Sequence, residues 1–131
     1  MRKYEAMGRS VLRIVIGFTF TCHGLQKLFG LFGGVGPHGA HVSYFSLFGL
    51  AGLLETIGGP LILAGLFTSP VAFVLCGEMA VAYFMVNFPH GFWPIRNGGE
   101  LPVLYCFIFL YLFTAGGGPL SLDHLIRKKS A

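Results

Sequence analysis

The chain has 131 residues, of which 54% are hydrophobic and 11% charged, and its net charge is +4. Soluble domains carry about 25% charged residues, so this composition excludes a water-coated globule: too few polar side chains exist to cover a core, and apolar ones must face lipid. The basic excess is no nucleic-acid footprint, since Arg2, Lys3, Arg9, Arg13, Arg127, Lys128 and Lys129 cluster at the two ends, beside apolar runs.

Crossing roughly 30 Å of hydrocarbon takes about 20 mostly apolar residues. Four stretches qualify, at about 11–32, 47–67, 71–88 and 101–115, within a single domain covering 1–131. The first has no small-residue cleavage pattern behind it and reads as a span rather than a signal peptide. Arg13 lies near its cytoplasmic end and is expected to snorkel to the interface. His23, Gln26 and Lys27 lie toward its other end. A Gly-rich connection, 33–41, follows; its His38 and His41 lack a third ligand at suitable spacing, so no metal site is expected.

The second span is dense in glycine (Gly49, Gly52, Gly58, Gly59, Gly65) and places Gly52, Glu55 and Gly59 on one face, which reads as a close-packing surface. Pro60 should release the Thr56 carbonyl and bend it. Thr68-Ser69-Pro70 turns the chain into the third span, which carries Glu78. A connection with His90, Trp93, Arg96 and Asn97 leads to Glu100 at the head of the fourth span, where Glu100, Phe107, Tyr111 and Thr114 form a stripe. The tail, 121–129, reads as a short interfacial helix capped by Ser121.

The expected fold is all-α, an integral membrane four-helix transmembrane bundle. Seven basic residues at the termini against Arg96 alone in the longer connections place both termini in the cytoplasm. Cys22, Cys76 and Cys106 are spread singly with no CxxC, and read as small buried hydrophobes.

Ionisable residues within spans carry the chemistry. A charge at mid-bilayer costs about 2.5–3.5 kcal/mol on insertion scales, so each needs compensation. Facing and depth allow His23, Lys27, Glu55, Glu78 and Glu100 to converge in the outer half of the bundle. Two readings follow. In one, Lys27 neutralises Glu55 or Glu78 and ties helices together; in the other, the cluster is a cavity for a quinone-like or small polar ligand, or a proton relay.

Several runs resemble the DoxX family of small bacterial membrane proteins: His23-Gly24-Leu25-Gln26-Lys27-Leu28, Glu55-Thr56-Ile57-Gly58-Gly59-Pro60-Leu61, Gly77-Glu78-Met79-Ala80-Val81-Ala82-Tyr83-Phe84, His90-Gly91-Phe92-Trp93-Pro94, Asn97-Gly98-Gly99-Glu100 and Gly118-Pro119-Leu120-Ser121-Leu122-Asp123. The resemblance implies a four-helix protein of the bacterial plasma (inner) membrane. It also implies a link to membrane redox, since some relatives are subunits of a thiosulfate:quinone oxidoreductase and others are associated with thiol stress defence. Lys27, Glu55, Glu78, Asn97 and Glu100 are its motif residues, without assigned roles. The expectation is an accessory subunit of a membrane redox system, forming a homo-oligomer or part of a larger complex. His23, Lys27, Glu55, Glu78, Asn97, Glu100 and Tyr111 would bind a quinone or small ligand or relay protons, with electrons supplied by a partner. The alternative is a structural or scaffolding subunit with purely structural charges.

Overall fold

The computed structural model describes residues 1–36 and 38–130; Pro37 of the Gly-rich connection and Ala131 lie outside them. The described chain is helical, without a β-strand; Val35 and Ala40 form an isolated antiparallel bridge. The elements are α1 (Arg2–Phe29), α2 (Leu47–Ala64), α3 (Thr68–Ala82), α4 (Pro94–Asn97), α5 (Glu100–Ala115) and α6 (Leu122–Ser130). After α3 the helix loosens into a π turn, Tyr83–Asn87, then tightens into a 3-10 turn, Phe88–His90.

Two of the four expected spans are long and apolar enough to cross a membrane: α2, with 18 residues, and the continuous run Thr68–His90, with 23. The other two fall short for different reasons. Helix α1 is 28 residues long, but Arg2, Lys3, Glu5, Arg9, Arg13 and Lys27 dilute its apolar character. Helix α5 is apolar but only 16 residues long, because Gly116 follows it. Large apolar side chains point outward on every one of these helices: Phe18, Ile57, Phe73, Val81, Leu104 and Phe107 are all more than half exposed. Such surfaces are what a lipid-facing protein displays.

The chain forms two compact units, one of residues 1–67 and 117–131, the other of residues 68–116. In the first, α1 and α2 run antiparallel in a register fixed by small residues. A Cβ on Gly17 would strike the Leu63 backbone, one on Gly24 the Thr56 backbone, and one on Gly59 the Thr21 backbone. The glycines therefore let the two backbones touch, and van der Waals contact replaces the hydrophobic force that lipid does not supply. The same eight-residue spacing, glycine, threonine four on, glycine three further, occurs in both helices (Gly17, Thr21, Gly24 and Gly52, Thr56, Gly59). Each threonine hydroxyl donates to the carbonyl four residues back, Thr21 to Gly17 and Thr56 to Gly52, both at 2.7 Å, so neither is left unsatisfied at the seam.

Helix ends correct the expected boundaries. Gly30, left-handed at φ 67°, stops α1 three residues early, and Gly65, at φ 72°, stops α2. At the second stop Leu66 N–H donates to the Leu61 carbonyl and Gly65 N–H to Ile62, a Schellman pair. At the other end of α2, Ser46 Oγ accepts from Gly49 N–H at 3.1 Å.

Arg13 does not snorkel. It is fully buried, with Nε donating to the Gly117 carbonyl at 2.8 Å, Nη1 to Ile62 at 2.7 Å and also to Leu63, and Nη2 to Leu120. The physical reason is the C-terminus of α2, whose last carbonyls lack intrahelical partners and carry the negative end of the helix dipole. A planar guanidinium with five donors satisfies them together. The tail is held to the same place: Asp123 N–H donates to the Gly65 carbonyl, and Asp123 Oδ1 accepts from Phe67 N–H at 2.8 Å. Ser121 caps α6, accepting from His124 N–H at 3.2 Å.

In the second unit α3 and α5 pack antiparallel. Ala72, Leu75 and Met79 face Tyr105, Phe109 and Leu112 in its buried core, and the Phe73 and Phe113 rings meet at 5.2 Å. The cysteines, expected as small buried hydrophobes, are free and only half-buried. Cys76 Sγ and Cys106 Sγ lie 3.7 Å apart, because packing brings together residues 30 positions apart that no short-range spacing could flag.

Candidate functional site

Lys27 stands in the last turn of α1, where a cation complements the helix dipole. Gly52, opposite it on α2, leaves room for its stem: a Cβ there would come within 3.1 Å of the Lys27 Cβ and the Leu28 side chain. One helical turn beyond Gly52, Glu55 points into the same gap. Lys27 Nζ donates to Glu55 Oε1 at 2.6 Å, an ion pair in which the lysine side chain is 22% exposed and the glutamate 2%. The carboxylate is thus sealed at the seam while the ammonium, with three donors, reaches toward its rim. Burying either charge alone would be costly, and the pair cancels most of that cost.

The connection after α1 folds over the same turn. Val42 N–H donates to the Lys27 carbonyl at 2.8 Å and the Tyr44 hydroxyl to the Leu28 carbonyl at 3.1 Å, satisfying acceptors that a helix C-terminus leaves open. His41 stacks on Tyr44 with ring centroids 5.0 Å apart and planes 6° apart. This aromatic pair was not singled out from sequence as part of the site; the signal for it is only two ring-bearing residues three apart behind a run of glycines. His23, one turn before Lys27 on α1, is half-buried. Among the described residues no three His, Cys, Asp or Glu side chains gather in a way that would hold a metal ion.

The remaining sequence candidates belong to the second unit. Both Glu78 carboxylate oxygens are buried. Asn97 is buried and uses its amide for structure: Nδ2 donates to the Gly91 carbonyl at 2.8 Å and the Tyr83 hydroxyl at 3.2 Å, and Oδ1 accepts from Gly99 N–H at 2.8 Å. Its own carbonyl accepts from Asn87 Nδ2 at 3.2 Å. Glu100 is exposed in the first turn of α5, where an anion suits the dipole. Tyr111 is 40% exposed. Among the candidates, Lys27 and Glu55 are joined by a direct bond.

The run from early in α1 to the first residue of the 3-10 turn, residues 8–88, matches the DoxX family model. The chain belongs to the DoxX family. DoxX membership and the long apolar helices together support a membrane protein. A Haemophilus influenzae relative, an uncharacterised protein, is 38% identical over 98% of both chains. A second uncharacterised protein of the same organism is 37% identical over 52% of this chain and 45% of its own length. A Bacillus subtilis relative named "Putative oxidoreductase CatD" is 28% identical over 98% of this chain and 93% of its own. No solved structure matches this DoxX chain.

Proposed function

We propose that this DoxX protein is an accessory subunit of a membrane redox system and that Lys27 and Glu55 form the polar floor of a quinone or small-ligand site. The observation that carries the reading is the asymmetry of the ion pair, a partly open ammonium above a sealed carboxylate at an apolar helix seam. A quinone headgroup offers two carbonyl acceptors on a flat apolar ring. Lys27 would donate to one of them, Glu55 would hold the ammonium in place or pass it a proton, and the stacked His41 and Tyr44 supply flat apolar surface on the adjoining connection. Intramembrane charges commonly mark such sites. The oxidoreductase name of the Bacillus subtilis relative supports the same class of chemistry. The chain would lie in the bacterial plasma membrane with both termini in the cytoplasm, as a homo-oligomer or within a larger complex.

The test is purification in mild detergent followed by mass spectrometry of co-purifying small molecules and proteins. Parent protein is expected to retain quinone, and Lys27→Met to retain at least tenfold less. A parent free of quinone, or a Lys27→Met variant that retains it equally, overturns the reading.

A second reading, a scaffolding subunit, is favoured by the nearly complete burial of Glu55 within a glycine seam. There the pair serves only as an interhelical tie. Lys27→Met combined with Glu55→Met would then preserve assembly and the function of the complex.

A further inference from the structure

Helices α3 and α5 hold two thiols in contact: Cys76 Sγ to Cys106 Sγ is 3.7 Å, and both residues are half-buried. A disulfide has an S–S length of about 2.05 Å, so the sulfurs need to close by about 1.6 Å to form one. The two cysteines come from different helices of one compact unit and lie 30 residues apart, an arrangement without the CxxC signature by which dithiols are recognised in sequence.

The surroundings select the oxidant. Cys76 is eight residues into the 23-residue apolar run, about 12 Å along its axis. Leu75 and Tyr105, which precede the two cysteines in the chain, are buried, and the Phe73 and Phe113 rings pair elsewhere on the same two helices. Neither helix carries a Lys, Arg or His; their only charged side chains are Glu78 and Glu100. Nothing here recruits a charged water-borne oxidant, whereas a neutral acceptor dissolved in hydrocarbon reaches such a seam without desolvation cost. We propose that Cys76 and Cys106 are a redox-active dithiol that donates two electrons to a lipid-soluble quinone, a proposal that rests on the quinone reading above for its acceptor. Two S–H bonds break and one S–S bond forms; the two electrons and two protons pass to the quinone oxygens, giving one hydroquinone. The oxidised chain has then given up one electron pair, and the disulfide staples α3 to α5 until a dithiol reductant returns two electrons and two protons and reopens it.

The experiment uses full-length protein in liposomes, treated with decylubiquinone, quenched in acid, unfolded in SDS and labelled with a maleimide-polyethylene glycol. Cys22, in α1, is the internal reference. Parent protein is expected to fall from three labels to one, to return to three after dithiothreitol, to run as a monomer without reductant and to yield one hydroquinone per chain. Cys76→Ser and Cys106→Ser are each expected to keep two labels and yield none, and Cys76→Ala repeats the result should serine disturb folding. Three labels persisting in the parent, a disulfide-linked dimer, or hydroquinone formation undiminished in the single variants overturns the proposal. Thiol loss with diamide but not with decylubiquinone overturns it too. Quinone that remains bound to a parent whose thiols do not react sinks the dithiol alone; a parent that binds no quinone sinks the reading beneath it.

Discussion

Arg13 and Lys27 are both basic residues of α1, yet they solve different problems. Arg13 ends among backbone carbonyls at the close of α2, and its value lies in the planar fork that serves several acceptors together. Lysine at that position brings three donors on a flexible stem and leaves some of those carbonyls orphaned, at about 1–3 kcal/mol each. Arg13→Lys is therefore expected to lower the Tm in detergent markedly, by differential scanning fluorimetry, and Arg13→Met still further; an unchanged Tm in both would show that the carbonyls find other partners. Lys27 instead compensates a single buried carboxylate. Lys27→Met removes the ammonium from the buried Glu55 carboxylate and is expected to cost about 3–5 kcal/mol, whereas Lys27→Met with Glu55→Met removes both charges and should restore most of that loss. Steric-trap or denaturant titration of the single and double variants reads the difference, and equal losses in both would refute a structural coupling between them. The sequence flagged Lys27 and Glu55 because charges within apolar runs need a reason. It misled at Arg13, because position near a span end is equally consistent with a side chain reaching water and one reaching the exposed carbonyls of a neighbouring helix end.

At the scale of elements, glycine spacing decides where helices touch. The glycines of α2 were legible as a packing face, but their partners on α1 were not, since a two-helix register depends on matching Gly17 and Gly24 against a second sequence run. Once Gly24 faces Thr56 and Gly59 faces Thr21, a methyl group at either position has backbone, not a yielding side chain, in its way. Gly24→Ala and Gly59→Ala are expected to destabilise by about 1–3 kcal/mol each, the usual cost of overpacking. Gly77 in α3 is the control: a Cβ there meets nothing within 4 Å, so Gly77→Ala should be neutral or stabilise by up to about 1 kcal/mol through helix propensity. Equal effects at all three positions would mean that the seam is not close-packed. Helix ends were less legible than helix existence, because a left-handed glycine at 30 or 65 stops a helix while the apolar run continues past it. Likewise, the Cys76–Cys106 contact follows from the antiparallel packing of α3 and α5, which no local pattern in either run encodes.

For the whole molecule, charge asymmetry supplies the expected orientation in the bilayer. Seven of the nine Lys and Arg residues lie in the first 13 or last five positions, while Arg96 is the one basic residue in the longer connections. Retaining basic residues on the cytoplasmic side sets topology for segments of this size. Helix α6 strengthens the case: Leu122, Leu125 and Ile126 are exposed at i, i+3 and i+4, with Arg127, Lys128 and Lys129 in its last turn, the pattern of a helix lying on an anionic leaflet. A green fluorescent protein fused after the last residue should therefore fluoresce, and alkaline phosphatase at the same point should be inactive; phosphatase fused within the Gly-rich connection near Gly36 should be active. Replacing Arg127, Lys128 and Lys129 with Gln removes three of the seven determinants and is expected to weaken, not reverse, the bias, because Arg2, Lys3, Arg9 and Arg13 remain at the N-terminal end of the first span. Arg13 adds a contribution that charge counting alone misses, since its bonds to Ile62 and Gly117 hold α1, the end of α2 and the start of the tail at one level. An active phosphatase at the C-terminus with a fluorescent fusion at Gly36 would invert the topology and move the Lys27–Glu55 pair to the cytoplasmic half of the membrane.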